Sequence, residues 1–184
     1  MNLPNILTLA RIAATPVIAA AAAIDGSAGS LAAAILFALA GLTDWLDGFL
    51  ARRLGQTSAF GAMFDPIADK LQVGVTLGVL LWLGALPGWH MLPALAILAR
   101  EVFVSGLREA MAAMNAPRIP SSFAAKAKTT AQMAALTLLL LGDAAGWTWP
   151  RDGGLVLIWA AAGLSLSTGF AYLRSALSSL SAQN

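Results

Sequence analysis

Six runs of about twenty apolar residues, parted by short breaks rich in glycine, proline or charge, constrain this chain more than any other feature. A helix that crosses a bilayer needs roughly 20 such residues. In lipid every backbone polar group must be satisfied within the protein, so runs of this kind form helices. Composition agrees: 59% of the 184 residues are hydrophobic and 11% are charged, against about 25% charged in ordinary soluble domains. The expectation is an all-α integral membrane protein, one domain over residues 1–184. Its six transmembrane helices should cover about residues 4–24, 31–54, 59–83, 91–114, 121–141 and 155–177. Pro4 suits a helix start, and Pro16 introduces a kink. The first turns, interrupted by Arg11, are expected to lie along the interface as an amphipathic segment. Residues 142–153 read as a polar turn with Trp147 and Trp149 as interfacial anchors. The absence of cysteine excludes disulfides and thiolate metal sites.

Six spans put both termini on one side of the bilayer. That side holds Arg11, Arg52, Arg53, Arg108, Arg118, Lys126, Lys128 and Arg174, whereas the opposite loops hold only Arg151. The positive-inside rule places the first group in the cytoplasm. The isoelectric point near 9.5 comes from cations scattered over loop edges. There is no basic tail or soluble module, so no nucleic-acid partner is expected.

Four carboxylates interrupt the apolar pattern between Asp44 and Asp69: Asp44, Asp47, Asp65 and Asp69. Charge in an apolar segment is costly and marks a functional site by default. On a helix, Asp44, Asp47, Gly48, Ala51 and Arg52 share one face, as do Gly61, Asp65 and Asp69. Folding the two stretches as a hairpin about Gln56 brings the four carboxylates to matching depths. Converging oxygen ligands suit one hard divalent cation, or two that share a carboxylate. Gly48 and Gly61 let a ligand or a partner backbone come close.

The pattern Asp44-x-x-Asp47-Gly48-x-x-Ala51-Arg52, eight residues, then Gly61-x-x-x-Asp65-x-x-x-Asp69 resembles the signature of the CDP-alcohol phosphotransferases at every defined position. Three further stretches resemble the bacterial phosphatidylglycerophosphate synthases of that family. They are residues 5–11, Ala99-Arg100-Glu101 with Leu107-Arg108-Glu109, and residues 126–133.

The resemblance implies transfer of a phosphatidyl group from CDP-diacylglycerol to glycerol 3-phosphate, with CMP released, and a homodimer in the bilayer. It implies two Mg²⁺ or Mn²⁺ ions on Asp44, Asp47, Asp65 and Asp69, with Asp69 also as general base. Gly48, Arg52, Ser58 and Gly61, with Asn5 and Thr8 from the first helix, would hold the CDP-lipid. Small residues beside the Asp pair, Gly41, Gly48 and Ala51, would leave a lateral opening for its acyl chains. Arg100, Arg108, Arg118, Lys126 and Lys128 would form a basic pocket for the acceptor phosphate. An alternative acceptor is inositol phosphate or another alcohol. Lys126 and Lys128, two apart, cannot both face one point of a regular helix. Glu101 and Arg108, seven apart, share a face and are expected to pair.

Overall fold

The computed structural model describes residues 3–54, 59–114 and 123–181, and the side chains of all of these except 3, 4, 45, 47–54, 59, 62, 180 and 181. Among the described residues every regular element is a helix. The elements are α1 (Leu3–Ala22), α2 (Ser27–Leu54), α3 (Ala59–Trp82), a 3-10 turn (Gly88–His90), α4 (Met91–Ala113), α5 (Phe123–Ala145) and α6 (Thr148–Ser181). Four segments are long and apolar enough to cross a membrane by length and composition: Asn5–Ala22, Ser27–Asp44, Gly88–Ala113 and Thr148–Ser179. The two helices outside that group, α3 and α5, carry Asp65, Asp69 and Lys70, and Lys126, Lys128 and Asp143. Their charges lower their hydropathy, and several of them face other helices rather than lipid.

Two expectations change. The turn over residues 142–153 shrinks to the two residues between α5 and α6, with Gly146 at φ +62. Its glycines serve helix packing instead. A Cβ on Gly142 would meet the Arg151 backbone nitrogen at 2.8 Å, and one on Gly154 would meet the Leu139 side chain at the same distance. Close approach of two helix backbones needs such residues in a membrane, where van der Waals packing replaces the hydrophobic drive. Pro150 is tolerated because it lies in the first turn of α6. The first turns of α1 also differ. Asn5, Thr8 and Arg11 are buried, so the polar residues of this segment face the bundle rather than the interface.

α1 packs against α2 and α3, α2 also against α5, and α5 along α6, while α4 lies chiefly on α6. Helices α1–α3 thus form one half and α4–α6 the other, joined mainly through α2 and α5. The core between them is built from Ile18, Phe37, Leu77, Leu80, Ile97, Leu136, Leu139, Leu140 and Ile158, interleaved with buried alanines such as Ala33, Ala135 and Ala161. Near the core Gln72 donates to the Phe37 carbonyl oxygen at 3.3 Å, which ties α3 to α2. The 28 residues of α2 span about 42 Å at 1.5 Å per residue. That exceeds a hydrocarbon core of about 30 Å, so its last turns project past the lipid and carry Asp44 towards the membrane surface.

Candidate active site

Asp44 lies ten residues before the end of α2, and Asp69 ten residues after the start of α3. The hairpin therefore brings them level, and the carboxylates meet on a side chain from α1. A single nitrogen of Arg11, Nη1, donates to Oδ1 of Asp44 and, at 2.6 Å, to Oδ1 of Asp69. Two hydrogen bonds of about 3 Å on one atom keep those oxygens within roughly 6 Å of each other. One turn nearer the α1 N-terminus, the Thr8 hydroxyl donates to Oδ1 of Asp65 at 2.6 Å. Thr8 and Arg11 are three apart on α1, and Asp65 and Asp69 four apart on α3. Two rungs thus link α1 and α3, which run in the same direction. The Thr15 hydroxyl donates back to the Arg11 carbonyl oxygen one turn earlier at 3.1 Å, next to Pro16 within α1.

Burial gives the cluster a front and a back. The Arg11 side chain is 0% exposed, whereas Asp44 and Asp69 are 40% and 52% exposed. Arg11 stands behind the carboxylates, and their open side faces away from α1. Among the described residues no three histidine or acidic side chains converge closely enough to form a metal cage. Asp47, Gly48 and Arg52 lie on α2 beyond Asp44, in a stretch whose side chains are outside the described set. Ser58 and Arg118 lie outside the described residues altogether. Gly61 is half-buried in the first turn of α3, and Asn5 is buried on α1. The donors that do meet are carboxylate oxygens. His90 sits in the 3-10 turn before α4 and accepts from Trp159 Nε1 at 3.1 Å. With no cysteine in the chain, this donor set fits a hard divalent cation.

Arg11 is the residue that reading the sequence missed. The charge asymmetry places it among the cytoplasmic cations, yet it lies eight residues into an apolar helix. The rule that singled out the aspartates applies to it equally.

A second charged group lies in the other half. Lys128 Nζ donates to Glu101 Oε1 at 2.5 Å, and Arg100 Nη1 donates to the same oxygen at 3.2 Å. Arg100 also donates to the Ser165 carbonyl oxygen through Nε at 3.1 Å and to the Thr168 hydroxyl through Nη2 at 3.3 Å. Gly169 leaves it room: a Cβ there would fall 3.0 Å from Arg100 Cγ. Glu101 thus pairs with Lys128 and Arg100, not with Arg108. Arg108 lies exposed with its guanidinium carbon 5.2 Å from the Tyr172 ring centroid. Helical spacing divides the two lysines, Lys128 buried and Lys126 exposed. Gly41 does not open a path to lipid, because the space a Cβ would take is filled by Met133 Cε at 2.7 Å.

Residues 1–167 match the family model for CDP-alcohol phosphatidyltransferases. Among curated proteins the chain is similar to one from Rickettsia felis, 44% identical over 94% of each chain. It is also similar to one from Pseudomonas fluorescens, 42% identical over 96% of this chain and 90% of the relative. A third, from Escherichia coli, is 39% identical over 97% of each. All three carry the name CDP-diacylglycerol–glycerol-3-phosphate 3-phosphatidyltransferase.

Proposed function

The chain belongs to the CDP-alcohol phosphatidyltransferase family, and from that premise we propose that it transfers the phosphatidyl group of CDP-diacylglycerol to glycerol 3-phosphate. The products are CMP and phosphatidylglycerophosphate, which stays in the bilayer. The observation that carries this reading is the meeting of carboxylates from α2 and α3 at one depth, with their open side away from α1.

A hydroxyl oxygen of glycerol 3-phosphate attacks the phosphorus that bears the diacylglycerol. The bond from that phosphorus to the CMP oxygen breaks, and CMP departs with the bonding pair. The hydroxyl proton passes to Asp69, whose carboxylate is half exposed on the open side. Asp44, Asp47, Asp65 and Asp69 would hold two divalent ions, Mg²⁺ or Mn²⁺. Such ions, when bound, neutralise the diphosphate and the charge developing on the attacking and leaving oxygens. Thr8 orients Asp65 from behind. Arg52 pairs with the diphosphate, where a planar guanidinium offers two parallel donors. In this reading Gly48, Ser58 and Gly61 contact the cytidine, and Asn5 of α1 contributes to the same site.

The acceptor phosphate is recognised by cations of the second half, Arg100, Arg108, Arg118, Lys126 and Lys128. Their present partners differ. Arg100 and Lys128 are engaged with Glu101, and exposed Arg108 and Lys126 are the readier to meet an anion. The enzyme works as a homodimer with its site on the cytoplasmic side of the inner membrane.

An acceptor panel tests the reading. Purified protein in detergent receives CDP-diacylglycerol and Mg²⁺, and CMP release is followed with glycerol 3-phosphate, inositol phosphate, serine or no acceptor. Release with glycerol 3-phosphate alone is expected. Release with another acceptor would overturn the reading of the basic pocket, and release with none would overturn the chemistry.

A further inference from the structure

We propose that Arg11 is the resident counter-cation of the carboxylate cluster: it holds Asp44 and Asp69 together from the buried side and competes with a metal ion for their oxygens. This rests on reading the cluster as a metal site.

Three observations lead here. The first is position. Arg11 is wholly buried eight residues into α1, where an ionised side chain is costly unless opposite charge surrounds it. A guanidinium does not deprotonate in proteins, so its positive charge is permanent and lies against the aspartates. The second is atomic. One nitrogen serves Oδ1 of both Asp44 and Asp69. Those are two of the carboxylate oxygens a hard cation would take. A positive donor on an oxygen diminishes what that oxygen offers a cation, and two cations on the same oxygens repel. The third is the sidedness of burial. The carboxylates are 40% and 52% exposed and the arginine is not exposed at all. A metal approaching from the open side meets Asp44 and Asp69 with Arg11 already on their inner side, so the two cations compete for the same carboxylates from opposite directions.

The role is one of positioning. Arg11 presets the spacing of two ligands on two helices and lowers the affinity of the site for its ion. A purely structural pin would share the first property but not the second, and this separates the two in experiment.

The test uses the full chain in detergent, with Mn²⁺ alone as the probe. Free Mn²⁺ is counted by electron paramagnetic resonance, and thermal unfolding is followed in EDTA and in Mn²⁺. Arg11→Met is expected to unfold at lower temperature than the unsubstituted protein in EDTA and to gain more from Mn²⁺. It should also bind Mn²⁺ about tenfold more tightly or better, because a buried like charge has gone. Arg11→Lys keeps the charge and is expected to stay near the parent in EDTA. Equal or weaker Mn²⁺ binding by Arg11→Met, or an equal loss of unfolding temperature in both buffers, would overturn the proposal. Should Arg11→Met fold only with Mn²⁺ present, the proposal is supported. Should it fold in neither buffer, Arg11 is a structural pin and the proposal fails. Absence of Mn²⁺ binding by the unsubstituted protein would instead sink the metal reading of the cluster.

Discussion

The proposed mechanism gives Asp69 two duties, metal ligand and base, and its carboxylate accepts from Arg11 while half exposed. Asp69→Asn keeps the size and one hydrogen-bond acceptor but can neither take a proton nor bind a cation as tightly. General-base catalysis is worth about 10²–10⁴-fold, so CMP release should fall by at least about a hundredfold in the assay with glycerol 3-phosphate. Raising Mn²⁺ separates the duties: recovery of rate at high metal identifies a lost ligand, and a rate unmoved by metal identifies a lost base. Thr8 is a milder case. Thr8→Val is isosteric and removes the hydroxyl that donates to Asp65 at 2.6 Å. A hydrogen bond to a charged group contributes about 1.5–3 kcal/mol. If a comparable amount is lost in orienting Asp65, activity should drop roughly ten- to a hundredfold, while Thr8→Ser retains it. Equal rates for Thr8→Val and the parent would show that Asp65 does not depend on α1.

At the scale of helices, the ion pairs of the second half tie α5 to α4. Lys128, Glu101 and Arg100 are all nearly buried. Removing one partner of a buried pair costs about 3–5 kcal/mol, whereas replacing both by apolar groups is often neutral. Glu101→Gln should therefore lower the unfolding temperature in detergent, and Glu101→Leu with Lys128→Met should recover most of the loss. A double variant no better than the single one would contradict the pairing. The α5–α6 hairpin has its own weak point at Gly142. A side chain there meets the Arg151 backbone at 2.8 Å, so Gly142→Val must part the helices and lower stability, and Gly153→Ala, which meets nothing nearer than 3.8 Å, should not.

That hairpin also shows what the sequence could not disclose. Gly142, Asp143, Gly146, Trp147, Trp149, Pro150, Gly153 and Gly154 read locally as a loop. In the fold only Gly146, at positive φ, and Trp147 form the link, and Gly142 and Gly154 let two helices touch. Glycine signals a turn and a close approach with the same letter, and only the partner helix distinguishes them. The level of Asp44 with Asp69 was legible, because it depends on helix period and the place of one hairpin. The partnership of Arg11 with both was not. It depends on how α1 lies against that hairpin, and no periodicity within a segment encodes that. Glu101 likewise shares a helix face with Arg108, yet Lys128, from a different helix, takes it.

At the scale of the whole molecule, sidedness decides what the enzyme can reach, and burial alters the argument for it. Arg11 and Lys128 are paired inside the bundle, so neither informs the positive-inside rule, which counts charges in loops and near helix ends. Arg52, Arg53, Arg108, Arg118, Lys126 and Arg174 remain against Arg151, and the asymmetry survives the correction. The carboxylates lie towards the hairpin end of α2 and α3, with the N-terminal turns of α1, so they share whichever side those cations occupy. The absence of cysteine makes this directly measurable, because any thiol introduced is the only one. Trp147→Cys, in the exposed link between α5 and α6, and Glu109→Cys, exposed near the end of α4, lie at opposite ends of the bundle. In bacterial spheroplasts a membrane-impermeant maleimide should label Cys at position 147 at once and Cys at position 109 only after permeabilisation. The reverse pattern would put the carboxylates outside, away from a cytoplasmic supply of phosphorylated acceptor, and the proposed reaction could not run in that orientation.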